Sequence, residues 1–194
     1  MAIRSGTMLF GTLERVVYSP ANYWIGLLGD MLGGVAFLVL GLYLFSGPSI
    51  VAVAAVALGF VAWGLLEYVL HRWVLHGPPS IPRRGHARHH ADARALISTP
   101  LLVIAIGTSA IWALLTLAFP AGVAAFLVFG LYSGYNYYVL LHHFQHHQGK
   151  AVARLVYWGR LGRLHDIHHR RQTVNYGTTT SIWDRLLGTF QPPD

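Results

Sequence analysis

The chain of 194 residues contains no cysteine. That absence removes disulfides, thiolate-held iron–sulfur clusters and thiol nucleophiles from consideration, so any redox chemistry must rest on other side chains. Charge is scarce as well: Asp, Glu, Lys and Arg make up 11% of positions, against 54% hydrophobic residues and a mean hydropathy of +0.46. A soluble domain is not normally built this way, whereas a short chain carrying several membrane spans is. There is no long Pro/Gly/Ser linker, no low-complexity tract and no room for a second domain, so residues 1–194 are read as a single membrane-embedded domain. Met1 to Phe10 lacks a short apolar core followed by a small-residue cleavage site, and no removable signal peptide is expected there.

The apolar runs place the spans. Ser49 to Leu70 carries one acidic residue, Glu67, near its end, and Pro100 to Leu141 is uncharged but broken at Pro120-Ala121-Gly122. About 20 apolar residues cross a hydrocarbon core of about 30 Å, so the longer run is read as two helices joined by a tight turn. A further span lies within Tyr23 to Phe45, where Asp30 sets the start of the membrane-buried part near Met31. The expected fold class is all-α: an integral membrane protein with four transmembrane helices and a cap of short histidine-bearing helices.

Charge then orients the spans. None of the 14 Lys and Arg residues lies in the turns Ser46 to Ser49 or Phe119 to Gly122; they occupy the N-terminal segment, the stretch Arg72 to Arg94 and everything after Lys150. With four spans these regions share one side, which the positive-inside rule makes the cytoplasm, so both termini and the cap are expected there. The net charge of +7 and pI near 10.1 come from basic residues that flank spans and alternate with histidine. They form no independent basic domain, so anionic lipid headgroups fit them better than nucleic acid, and no nucleic-acid partner is expected.

All 12 histidines fall into four tight groups on that side: His71 and His76; His86, His89 and His90; His142, His143, His146 and His147; and His165, His168 and His169. A lone histidine at a membrane interface is ordinarily a hydrogen-bonded or snorkelling side chain. Two H-x2-H-H triplets and two further sets on one side are not explained so, because imidazoles cluster usefully when they must grip an ion. Residues three and four apart share a helix face, so each triplet is expected to converge. The third group offers two stripes, His142 with His146 and His143 with His147, about 100° apart. His71 and His76, five apart, share no face of a regular helix, so the second span is expected to lose regularity or end between them, with Gly77-Pro78-Pro79 as the stop. One ion takes four to six donors, so ten or more imidazoles imply two ions with about five each, leaving one position of six open.

The order H-x4-H, H-x2-H-H, H-x3-H-H, H-x2-H-H after paired spans, with Asn175-Tyr176-Gly177 and Trp183-Asp184 following the last triplet, resembles the fatty acid hydroxylase and sterol desaturase superfamily of membrane di-iron enzymes. The nearest likeness is to its fatty acid 2-hydroxylase branch, over roughly Gly64 to Thr189. The resemblance implies two iron ions, for which zinc is an acceptable substitute in isolated protein, and O2 as co-substrate. The implied reaction places one oxygen atom into an unactivated C–H bond of a lipid or fatty-acyl chain. Carried over by position, the metal ligands are His71, His76, His86, His89, His90, His142, His146, His165, His168 and His169. No catalytic residue beyond these is implied. His143 and His147 are left as groups beside the ligands or on the substrate side. The sequence departs from the family pattern in its third cluster, enriched to H-H-F-Q-H-H, and in Asp166, which stands next to the first histidine of its triplet.

Carboxylates are expected to orient ligand imidazoles through their far N–H groups. Glu67, one turn before His71, and Asp166 are the residues placed for it; Asp92 and Asp184 read as loop caps or salt bridges, and Asn136 as a helix–helix hydrogen bond. With neither cysteine nor a soluble module for haem or flavin, electrons are expected from a separate donor protein docking on the basic face. Two other readings stand beside lipid hydroxylation: a desaturase or carotenoid hydroxylase of the same superfamily, and a non-catalytic membrane metal- or haem-binding protein. The last predicts facing axial histidine pairs inside the bundle.

Overall fold

A computed structural model describes residues 14–193. Met1 to Phe10, where no signal peptide was expected, lies outside the described residues. Among the described residues every regular element is helical. Helix α1 spans Pro20–Leu44, begun by the Ser19 hydroxyl, which accepts from Asn22 N at 3.1 Å, and by proline in its first turn. Helix α2 spans Ser49–Val69 and runs into a π-helical segment, Leu70–Leu75. Then come α3 (Ile81–Ala91), α4 (Leu101–Leu115), α5 (Ala121–His147), a short α6 (Gly149–Val152), α7 (Val156–Arg170) and α8 (Ile182–Leu186).

Among the described residues three helices are long and apolar enough to cross a membrane: Pro20–Leu44, Ser49–Leu75 and Ala121–His147. The run after Pro100 does divide into two helices, but α4 has only 15 residues and buries none of them. At 1.5 Å per residue it reaches about 22 Å, short of a full hydrocarbon core. The helix that carries the first span begins well before Asp30. Asp30 lies well inside α1, 2% exposed and packed toward α5, where Asn136 Nδ2 donates to the Asp30 carbonyl at 3.5 Å. A carboxyl group that faces the bundle rather than lipid does not end an apolar helix.

The central helix α5 packs against α1, α2 and α4, with Phe126, Leu127 and Ala55 at the core of the contact. Without a hydrophobic force between helices in lipid, close backbone approach matters most. Gly59 of α2 and Gly130 of α5 supply it reciprocally: a Cβ on Gly59 would collide with the Leu127 carbonyl, and one on Gly130 with the Val56 carbonyl. Backbone cannot give way as a side chain can. Gly130→Ala is therefore expected to destabilise the bundle by about 1–3 kcal/mol through overpacking, read as an earlier thermal transition in detergent; an unchanged transition would show that the helices can separate at no cost.

The short helices form a layer on the end of the bundle where α2 and α5 terminate in histidine. Helix α3 is capped by the Ser80 hydroxyl, which accepts from Arg83 N at 3.2 Å. Helix α7 is held to α5 by Leu161 and Leu164 packed on Leu141, with Trp158 and Phe190 at the edge.

Candidate metal centre

The π-helical segment answers the spacing of the first pair. His76 N donates to the His71 carbonyl at 3.1 Å, a five-residue hydrogen bond. Widening the helix by one residue per turn brings two residues five apart onto one face, and their rings lie 5.1 Å apart. The expected loss of regularity is this turn.

Ten histidines come together as two groups of five, with ligating atoms in each group within 4.8 Å of one another: His71, His76, His86, His90 and His168, and His89, His142, His146, His165 and His169. In the first, His86 Nε2 lies 2.9 Å from His71 Nε2, 2.9 Å from His76 Nε2 and 3.0 Å from His90 Nε2, while His76 and His168 approach to 3.1 Å. In the second, His146 Nε2 lies 2.9 Å from His165 Nε2 and 3.2 Å from His142 Nε2, and His165 and His169 approach to 3.2 Å. With nitrogen about 2.1 Å from an ion, neighbouring corners of an octahedron stand about 3.0 Å apart and those of a tetrahedron about 3.4 Å. The close approaches of 2.9–3.2 Å are of the size expected between neighbouring ligands of one ion, so each group of five could hold one. His89 Nε2 is buried without any hydrogen-bond partner, which for a polar nitrogen is costly unless an ion takes it. The donor set fits iron, and equally zinc, since neutral imidazole suits both.

The triplets do not each converge on one point, as helix geometry alone suggested. Each is divided: His86 and His90, four apart, join the first group while His89 turns to the second, and His165 and His169 join the second while His168 turns to the first. A spacing of three and one of four point to slightly different directions around a helix, and here the difference separates two adjacent ion positions. Stacking of His90 on His169, 4.4 Å between rings, joins the groups.

Burial first, and neighbouring imidazoles second, hold His76 and His90 down at about 4. Burial takes His168 to about 3 against the opposing pull of the Val174 carbonyl, and holds His86 and His165 well below the ordinary histidine value. At neutral pH these rings keep free lone pairs. Since an unfolded histidine titrates near 6.5, the metal-free fold binds fewer protons than the unfolded chain below that pH and loses stability as pH falls. Chelator-treated protein should accordingly melt earlier at pH 5 than at pH 7; a flat profile would show the rings are not buried as neutral groups.

Two ligand candidates are oriented by backbone carbonyls. His71 Nδ1 bonds the Tyr176 carbonyl at 2.6 Å, and His168 Nδ1 bonds the Val174 carbonyl at 2.8 Å. Donation from Nδ1 fixes the tautomer and leaves Nε2 for the ion. Between the two carbonyls stands Asn175, in the left-handed region at φ 52 and 1% exposed. Asparagine tolerates that conformation, and its amide ties the turn to Gln191: Nδ2 donates to the Gln191 carbonyl and Gln191 N donates back to Oδ1. Asn-Tyr-Gly was legible as a motif, but nothing in it showed that its carbonyls do the orienting.

The carboxylates act one step further out. Glu67 touches no imidazole: it accepts from Thr178 N at 2.5 Å, Thr179 N at 3.1 Å and the Thr179 hydroxyl, and so ties α2 to the loop after Tyr176. Asp184 accepts from Tyr176 N and Gly177 N, both at 2.8 Å, and from the Thr189 hydroxyl at 2.7 Å. It is a loop cap, as expected, and the loop it caps carries the Tyr176 carbonyl. Asp166 is exposed and bonds no histidine, because its place beside His165 on α7 turns it outward. Asp92 caps its own loop by accepting from Arg94 N at 3.0 Å.

His143 and His147 belong to neither group. Their rings stack 4.4 Å apart, and His143 Nδ1 meets the Tyr23 hydroxyl at 2.7 Å. They border a cavity of about 650 Å³ with mainly apolar walls, into which His71 and His86 of the first group and His89, His142 and His146 of the second also face. The arrangement can expose two neighbouring ions to one hydrophobic guest. Tyr138 stacks on His142 at 5.6 Å on that wall.

The fatty acid hydroxylase family model matches residues 56–189. Dihydroceramide fatty acyl 2-hydroxylase FAH2 of Arabidopsis thaliana is 32% identical over 146 residues, covering 70% of this chain and 60% of that protein. Ceramide very long chain fatty acid hydroxylase scs7 of Schizosaccharomyces pombe is 33% identical over 168 residues, covering 78% and 46%. The chain thus spans about half of these curated relatives. A solved structure of full-length scs7p, with only its hydroxylase domain visible, has the same fold: TM-score 0.75 at 24% identity, covering 94% of this chain and 70% of that one.

Proposed function

Because the chain belongs to the fatty acid hydroxylase family, we propose that it is a membrane oxidoreductase that hydroxylates an unactivated C–H bond of a fatty-acyl chain, using O2 at two iron ions. The relatives named above are hydroxylases of fatty-acyl chains, and this substrate class is extended here to the present chain. The observation that carries the reading is the pair of five-imidazole groups opening into one apolar cavity.

His71, His76, His86, His90 and His168 would hold one ion, and His89, His142, His146, His165 and His169 the other. Bound iron supplies the reductive activation of O2: two electrons and two protons enter, one oxygen atom leaves in the alcohol and the other in water. The protein's part is position and dryness. The Tyr176 and Val174 carbonyls keep His71 and His168 in the tautomer that presents Nε2, and neutral rings deliver no stray protons. Apolar walls keep water from the reacting carbon while His143, Tyr23 and His147 give the cavity a polar rim.

The whole chain is read as one membrane-embedded unit, with α4 and the turn after it as a fourth span. The histidine layer and both termini then lie on the cytoplasmic side, by the distribution of Lys and Arg. A separate electron-donor protein docks on that basic face; turnover with a nicotinamide cofactor and no added carrier would refute this. Iron-loaded, reduced protein in lipid under 18O2 should yield a hydroxylated acyl chain carrying one labelled oxygen. An unlabelled product, or only a new double bond, would refute hydroxylation.

A further inference from the structure

The cavity reaches far from the histidines. Along α5 it is lined from His142 to Leu131, eleven residues or about 16 Å of helix. Its opposite walls come from α2 with its π-helical segment and from α4, two helices without extensive contact with each other. Where they stand apart, the same residues line the cavity and face outward. Leu70 is 36% exposed and Val74 37% on one side; Val103 is 57% exposed on the other, and Gly107, one turn on, is exposed too. All four are apolar, and Val103 and Gly107, four apart on α4, share a single stripe. A Cβ on Gly107 would meet nothing within 4 Å. Glycine is otherwise a poor choice in an exposed helix interior, where it costs about 1 kcal/mol against alanine.

We propose that the gap between α2 and α4 is a side portal through which the acyl chain of a bilayer lipid slides from the membrane into the cavity, with position 107 at its edge, where a small residue leaves it unobstructed. The proposal rests on the hydroxylase reading for what happens inside, but the portal itself is a matter of shape. An aqueous entrance would need polar walls at the gap. These residues are apolar and continuous with the lipid-facing surface, so a guest crossing here never leaves hydrocarbon. The consequence is that substrate is taken as a membrane-resident lipid chain rather than from water.

Gly107→Trp places a large ring in the gap, and Gly107→Ala leaves it open. A Cβ at 107 meets nothing within 4 Å, so Gly107→Ala needs no neighbour to move, and Gly107→Trp extends from that open position; both should retain the metal content and melting behaviour of the parent. The probe is stearic acid carrying a nitroxide in mid-chain, dissolved in lipid nanodiscs that hold the zinc-loaded protein. Zinc is silent in electron paramagnetic resonance, so the reading is independent of oxygen chemistry. The parent and Gly107→Ala should show an immobilised nitroxide component displaced by unlabelled acyl lipid, and Gly107→Trp should lose it by tenfold or more. Equal immobilisation in Gly107→Trp and parent, or none in the parent, would overturn the portal. With iron loaded, product should fall in Gly107→Trp in parallel; product at the parental rate would overturn the route while leaving the hydroxylase reading intact. Loss of the immobilised component in Gly107→Trp, from a parent that forms no alcohol at all, would support the portal and refute the hydroxylase reading.

Discussion

Replacing His142 or His146 with alanine is expected to strip the ion of the second group and abolish product. His143→Ala and His147→Ala should keep two ions per chain and lose activity only in part. The two pairs alternate along one helix, so composition, helix propensity and exposure barely distinguish them. Position does: His146 Nε2 lies within 3.2 Å of both His142 and His165, whereas His143 is engaged by the Tyr23 hydroxyl. Removing one of the five imidazoles would leave the ion that group would hold one donor short and less tightly held. Metal analysis of the four purified variants decides the matter, and loss of metal in His143→Ala with retention in His142→Ala would reverse the assignment.

The second large effect is expected at Asp184, which touches no ligand. Its carboxylate is 0% exposed and satisfies two backbone N–H groups and one hydroxyl. Asp184→Ala leaves the two N–H groups buried without a partner, at about 1–3 kcal/mol each, while the Thr189 hydroxyl keeps the Tyr68 hydroxyl, so a total of about 2–6 kcal/mol is expected. The same change frees Tyr176, whose carbonyl fixes His71, and affinity for the first ion should fall by about 10–100-fold. Asp184→Asn keeps one acceptor oxygen and should fall between. Thermal unfolding and zinc titration of both variants provide the check; parental melting in Asp184→Ala would mean the loop is held by something else.

The membrane character, the division of the run after Pro100 and the gathering of histidines at one end were legible because each rests on pattern: apolar length, a proline break, and residues three and four apart. The division of each triplet was not. Whether His89 points with His86 or away from it depends on what stands opposite, and opposite stand α5 and α7, remote in sequence. The carbonyls of Val174 and Tyr176 were invisible for a simpler reason, since every residue has a carbonyl and only the backbone path at Asn175 aims these two. Carboxylates attracted attention as supports because they are rare in an apolar chain. Glu67 and Asp184 do support the site, but by holding the loop that does the orienting. Asp30 shows a different limit: an acid near the start of an apolar run reads as a boundary, and its burial against α5 depends on a helix remote in sequence.

The central claim is that two ions are each held by five imidazole nitrogens. It is tested most directly by metal-to-protein ratio and X-ray absorption on the same iron-loaded sample. Two irons per chain, each with about five nitrogen neighbours near 2.1 Å and the multiple-scattering pattern of imidazole, is the expected result. One iron per chain, or a shell dominated by carboxylate oxygen, would contradict it.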